Sequence, residues 1–163
     1  MPGTHHFSGQ PLVQRLRGWA RELGFSQIGI TGIDLTTAEA GLLAWLQAGF
    51  QGDMGYMAAH GLKRARPAEL VPGTVSIITA RLDYLPQQSP IDWVQRETQA
   101  QQDPQRAVVS LYARGRDYHK VLRQRLQQLA QCLSTEVGPL GHRVFTDSAP
   151  VLEVELATRA GLG

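Results

Sequence analysis

The residue of this chain best suited to chemistry is a single carboxylate near its end. In the stretch Arg143–Glu153 a short apolar pair, Val144-Phe145, runs into Thr146-Asp147-Ser148 and Ala149-Pro150, and a helix-like segment opens at Val151. The pattern reads as a strand that delivers Asp147 to its carboxyl end, the edge at which ligands gather in α/β folds. Two roles are open to Asp147. An aspartate just ahead of a helix serves as an N-cap, accepting hydrogen bonds from otherwise unpaired N–H groups. A lone carboxylate with no metal ligand or nucleophile beside it also suits a proton donor serving a cofactor's chemistry. No second carboxylate stands at a fixed spacing to form a glycosidase pair, since Glu153 and Glu155 fall on the following helix and face different directions.

Two further groups of residues carry chemical potential. In Ser110–His119 (SLYARGRDYH) a strand end, a glycine turn and a helix start follow one another. Such a turn offers backbone N–H groups and the positive end of a helix dipole to an anion, with Arg114 and Arg116 alongside. Its alternative is a plain strand–turn–helix capped by Asp117, with His119 as either an acid–base group or a first-turn surface histidine. The basic cluster Lys63, Arg64 and Arg66 supplies forks for phosphate or amide oxygens, or simply a solvated surface. No phosphate loop, G-x-G-x-x-G, H-E-x-x-H, zinc spacing or Ser-His-Asp order is present, and His5-His6 is a terminal pair.

The elements that must position these groups follow from periodicity. Leu12, Leu16, Trp19 and Leu23 make one face of a helix over Pro11–Gly24, with Gly24 as its C′ glycine. Phe25–Ile30 reads as a strand. A second helix opens at Thr36 and Glu39, a capping-box pair, and runs to Gly49. A glycine- and methionine-rich connector, 52–61, leads into the basic cluster. Thr74–Leu85 is the clearest strand, with Val75, Ile77 and Ile78. Residues 86–106, rich in glutamine and poor in apolar anchors, read as a mobile, solvated excursion. Val108–Tyr112 reads as a brief strand. A helix over 117–135 carries Leu122, Leu126, Leu129 and Leu133 on one stripe, beside Cys132. A final helix covers Val151–Ala160. Helices alternating with strands predict an α/β (α+β layered) domain, a mixed sheet flanked by helices.

Composition narrows the classes. The 163 residues, 42% hydrophobic, suffice for one buried domain and no more, so 1–163 reads as a single domain. A formal charge of +2 is compatible with a polyanionic partner without requiring one. One cysteine excludes an internal disulfide framework, a self-contained zinc–thiolate site and an iron–sulfur cluster, and favours a reducing compartment. The opening MPGTHHFSG lacks the basic and apolar regions of a signal peptide, and no run approaches the roughly 20 apolar residues of a membrane span. A cytoplasmic protein without a membrane partner is expected.

Taken together, these blocks resemble a known family, the epoxyqueuosine reductases. The resemblance lies in ELGF-x-x-x-GIT (Glu22–Thr31), HGLKRARP (His60–Pro67), Gly73–Tyr84, SLYARGRDYHKVLR (Ser110–Arg123), FTDSAPVLE (Phe145–Glu153) and RAGLG (Arg159–Gly163). It implies reduction of the epoxide of epoxyqueuosine, in a tRNA anticodon loop, to the cyclopentene of queuosine. Base-off cobalamin performs that chemistry in the family, and two [4Fe–4S] clusters supply electrons. Asp147 falls at the family's proton donor, a position that also contacts cobalamin there, while Arg64 and Ser110 fall at further cobalamin contacts. Val154 stands where members usually carry an arginine. Members continue beyond this point with a ferredoxin-like cluster domain and a helical-repeat region. The resemblance therefore implies the N-terminal, cobalamin-facing part of such an enzyme, truncated before the ferredoxin-like domain, with no cluster possible on Cys132 alone. The implied partners are tRNA and an iron–sulfur domain or other reductant, and a monomer is expected. Two other readings stay open, a non-catalytic module binding corrinoid or tRNA, and an inactive remnant. Lys120, Arg123 and Arg125 are the candidate phosphate contacts.

Overall fold

A computed structural model describes residues 9–85 and 89–162. The pair His5-His6 and residues 86–88 of the predicted excursion lie outside the described residues. Helix α1 (Gly9–Glu22) leads to strand β1 (Gln27–Thr31), helix α2 (Thr36–Gln47), the one-turn helix α3 (Tyr56–Ala59), a 3₁₀ turn (Gly61–Ala65) and the short α4 (Pro67–Leu70). Strand β2 (Ile77–Arg81), helix α5 (Trp93–Gln102), a second 3₁₀ turn (Leu111–Ala113), helix α6 (Tyr118–Val137) and helix α7 (Glu153–Arg159) follow.

Mixed α and β content is as predicted. The sheet of the described residues holds two antiparallel strands, with Gln27 opposite Arg81 and Thr31 opposite Ile77. Alternation along a strand sends neighbours to opposite faces, and each face has its own core. Ile28, Ile78 and Ala80 join Leu16 and Ala20 of α1, Phe25, and Leu129 of α6. On the other face Ile77 joins Leu35, Ala65, Val151, Leu152 and Leu156. The domain is therefore layered, with α1 and α6 on one side of the ribbon and α7 on the other. Gly29 sits where α7 ends, and a Cβ there would run into the Ala160 carbonyl. The leucine stripe of α6 packs as its period requires, and Asp117 caps the helix by accepting from the His119 N–H at 3.0 Å.

Several boundaries differ from the sequence reading. Val108–Tyr112 is not a strand. The Val109 carbonyl accepts from Arg114 Nε at 2.8 Å instead of from a ladder, and the chain tightens into a 3₁₀ turn. Val144-Phe145 is not a strand either. Two apolar residues are too few to hold an edge, and Asp147, at φ 51°, leaves the extended region altogether. β2 is shorter than Thr74–Leu85 because its partner β1 spans only five residues, and Val75 is left exposed. The capping box of α2 is not formed. Asp34 accepts from the Thr36 N–H and hydroxyl, while Glu39 receives the fork of Arg66 at 2.8 Å on both oxygens. Within the 86–106 excursion, Trp93–Gln102 is helical, and Glu97 takes two hydrogen bonds from Arg114 at 2.8 and 2.6 Å.

Candidate active site

Helix α6 builds the site. Residues 119, 123 and 127 are one turn apart and share a face, and the irregular segment 142–148 is fastened along it at three points. His142 Nε2 lies 3.0 Å from the Gln127 amide, Ser148 Oγ accepts from Arg123 at 3.4 Å, and Asp147 reaches the helix start at Tyr118 and His119. The segment therefore runs antiparallel to α6 and ends beside its first turn. All of these contacts run from side chain to side chain.

At that end Asp147 is the one non-glycine residue at positive φ among the described residues. This conformation costs most side chains on the order of 1–3 kcal/mol, aspartate less than most, and persists where the surroundings over-determine it. Here they do. Thr146 is buried, and the Glu153 carboxyl stands near the Asp147 backbone. The Tyr118 hydroxyl donates to Asp147 Oδ2 at 2.7 Å. The Asp147 side chain nevertheless stays half exposed, at 49%. The Asp147 carboxylate pushes the Tyr118 phenol up to about 12. Partial burial and then the neighbouring Asp147 charge push the Glu153 carboxyl up. His119 Nε2 lies 3.4 Å from the same Oδ2, and its Nδ1 lies 3.1 Å from Asp117 Oδ1. As an N-cap Asp147 plays no part, because α7 begins six residues later at Glu153.

An aromatic row continues the site outward. His119 stacks on Tyr118 at 4.0 Å, Tyr118 meets Tyr112 edge-on at 5.7 Å, and Tyr112 meets Tyr84 edge-on at 6.4 Å. Ser110, exposed, immediately precedes the 3₁₀ turn that carries Tyr112. Arg64 is more remote. It is buried, donating from Nε to the Met57 carbonyl at 3.1 Å and from Nη2 to the Tyr56 carbonyl at 2.8 Å. Its neighbour Ala65 packs with Val151, Leu152 and Leu156, which ties the basic turn to the lead-in of α7. Arg114 is engaged by Glu97 rather than offered to an anion, and Asp117 itself caps the α6 N-terminus. Lys120 and Arg123 share an exposed face, whereas Arg125 turns toward Gly24 at the end of α1. Tyr118 and His119 as partners of Asp147 escape sequence reasoning, since the pairing spans 28 to 29 residues, although both lie in the GRDYH block.

Comparison with known proteins identifies the family. The family model described as "Epoxyqueuosine reductase QueG, DUF1730" matches residues 64–148, more than half the chain, from Arg64 through Ser110 to Asp147. A curated relative named epoxyqueuosine reductase from Alicycliphilus denitrificans is 67% identical over 152 residues, covering 93% of this chain and 42% of the relative. One of the same name from Burkholderia pseudomallei is 61% identical over 162 residues, covering 93% and 40%. The Escherichia coli epoxyqueuosine reductase is 45% identical over 152 residues, covering 93% and 38%. The chain thus spans about two fifths of the length of these curated relatives. No solved structure matches it. By the extent of the family match, the chain belongs to the epoxyqueuosine reductase family.

Proposed function

We propose that this chain forms the acid-bearing part of an epoxyqueuosine reductase, with Asp147 as the proton donor when the epoxide of epoxyqueuosine in a tRNA anticodon loop is reduced to queuosine. The observation that carries the reading is the Asp147 carboxyl itself, half exposed on a left-handed backbone and gripped through one oxygen by Tyr118. An oxygen leaving an opened epoxide needs a positioned acid within hydrogen-bond reach. A carboxyl pinned at Oδ2 keeps Oδ1 directed to that task.

Base-off cobalamin is the cofactor this reading calls for, and the donor set suits it. Exposed Tyr112 and Tyr84 offer apolar faces, the Ser110 hydroxyl and the Asp147 carboxyl offer polar contacts, and Arg64 braces the Tyr56–Met57 backbone of the connector. When bound, cobalamin would supply the electrons that open the epoxide. The chain's own share is to hold a proton at Asp147, to position that carboxyl through Tyr118 and to shape the connector through Arg64. A [4Fe–4S] cluster does not suit the donor set. Cys132 is the sole cysteine, and the described residues hold no group of three potential metal ligands. Electrons therefore come from a partner domain or reductant. The tRNA contact we assign to the exposed Lys120 and Arg123 face with the neighbouring tyrosines, a combination of phosphate-neutralising and base-stacking groups. None of the helices among the described residues is long and apolar enough to cross a membrane, and we place the protein in the cytoplasm, acting as a monomer.

The test is Asp147→Asn, assayed with epoxyqueuosine-containing tRNA, cob(II)alamin and a one-electron chemical reductant. The rate of queuosine formation should fall by on the order of 10²–10⁴, the usual share of a general acid, with cobalamin binding retained. A wild-type rate in Asp147→Asn would remove the assignment.

A further inference from the structure

We infer that His119 is the proton reservoir of Asp147, with Asp117 fixing its ring so that Nε2 feeds Oδ2 while Oδ1 faces outward. The inference rests on the acid reading of Asp147 and concerns what that carboxyl requires. Converting an epoxide to an alkene breaks both C–O bonds and releases the oxygen as water. The change consumes two electrons, here from an external one-electron donor, and two protons. A single carboxyl holds one proton. A second must reach it, or pass through it, within the same turnover.

The structure provides one route. Both protein contacts to the Asp147 side chain, the Tyr118 hydroxyl at 2.7 Å and His119 Nε2 at 3.4 Å, fall on Oδ2. Among the described residues no hydrogen bond engages Oδ1. The opposite ring nitrogen of His119, Nδ1, lies 3.1 Å from Asp117 Oδ1, which also accepts the His119 backbone N–H. A carboxylate at Nδ1 retains the ring proton there in the neutral imidazole, leaving the Nε2 lone pair toward Asp147. Nε2 stands at ion-pair distance from Oδ2, and a small approach of the ring brings the two within reach of proton transfer. When Asp147 Oδ1 releases its proton to the leaving oxygen, the imidazolium Nε2–H refills the carboxyl through Oδ2, and the ring recovers its proton from solvent.

Tyr118 stacks on the ring at 4.0 Å and stops it from turning away. The other charged or titratable groups around the pair are Lys120, 3.9 Å from Asp117, Glu153 beside the Asp147 backbone, and the Tyr112 phenol. A substrate seated on Oδ1 would screen the carboxyl from bulk water, whereas the His119 ring, itself 47% exposed, would keep its path to solvent. His119 is thus a positioning and resupply residue acting through Asp147.

Two readouts test this. In the ¹⁵N-labelled chain, NMR of the neutral His119 ring should find the proton on Nδ1, and Asp117→Asn should move it toward Nε2. A ring proton on Nε2 in the wild type, or no response to Asp117→Asn, overturns the inference. In turnover, His119→Ala should lower kcat by roughly tenfold or more with KM unchanged, and imidazole in the buffer should restore it. His119→Gln, which keeps a donor but carries no exchangeable proton relay, should stay slow. Full activity in His119→Gln, or a loss in His119→Ala that imidazole leaves unchanged, overturns it. Asp147→Asn separates the two levels. If it is inactive while the His119 results fail, the reservoir falls and the acid stands, and if it is active, both fall.

Discussion

Replacing Arg64 with alanine separates a bracing role from a ligand-binding one. Arg64 is 8% exposed and has no carboxylate partner among the described residues, so the Met57 and Tyr56 carbonyls are the guanidinium's compensation. A hydrogen bond to a charged group contributes about 1.5–3 kcal/mol, and two are lost together. Relief of the cation's own desolvation and entry of water to the two carbonyls offset part of this, leaving a net loss of about 2–4 kcal/mol. For a chain of this length that corresponds to a fall in Tm of roughly 5–15 °C. Arg64→Lys keeps the charge but cannot bridge two adjacent carbonyls with a planar fork, and should lose about half as much. Urea unfolding followed by far-ultraviolet circular dichroism reads both. A change below about 0.5 kcal/mol, the range of an ordinary surface substitution, would refute the bracing role. If Arg64→Ala weakened cobalamin binding with stability intact, its side chain would have to act on the cofactor directly.

The Tyr118–Asp147 hydrogen bond predicts that one tyrosine titrates near 12 by absorbance or ¹³C NMR, and that Asp147→Asn returns it toward 10. Because the folded value is raised, this contribution to stability is complete below pH 10 and lost as pH rises from 10 to about 12, so Asp147→Asn should flatten stability in that window. Gly29→Ala should destabilise by about 1–3 kcal/mol, since its Cβ meets the backbone of Ala160, and thermal unfolding would show it. A wild-type Tm for Gly29→Ala would contradict the packing of α7 on the ribbon. Binding of an anticodon stem-loop should weaken steeply with salt, and Lys120→Gln should reduce the slope of that dependence by about one.

Much of this was legible in the sequence where local and tertiary demands coincide. The leucines of α6 recur every turn because that face meets α1 and the ribbon, and Asp117 caps where an Asp before an amphipathic stripe should. Gly24, at φ 84°, ends α1 in the left-handed conformation that its position predicts. The strands were less legible. Strand length depends on the partner, and neither Val108–Tyr112 nor Val144-Phe145 finds one, although each is apolar enough to suggest it. Asp147 itself was visible as a candidate, by type and context. Its setting was not, because the Tyr118 hydroxyl, His119 ring and Glu153 carboxylate converge through the docking of 142–148 on α6, which no local period encodes. Arg64 shows the reverse case. Its basic cluster reads as surface, yet burial and two carbonyls claim this one guanidinium while Lys63 beside it stays exposed.

Whether this stretch of chain builds a cofactor-facing site around Asp147 is decided by anaerobic titration of the 163-residue chain with cob(II)alamin, followed by visible absorbance and electron paramagnetic resonance. Saturable binding with a base-off spectrum, retained in Asp147→Asn, is expected. A folded chain that leaves the cob(II)alamin spectrum unchanged would contradict it.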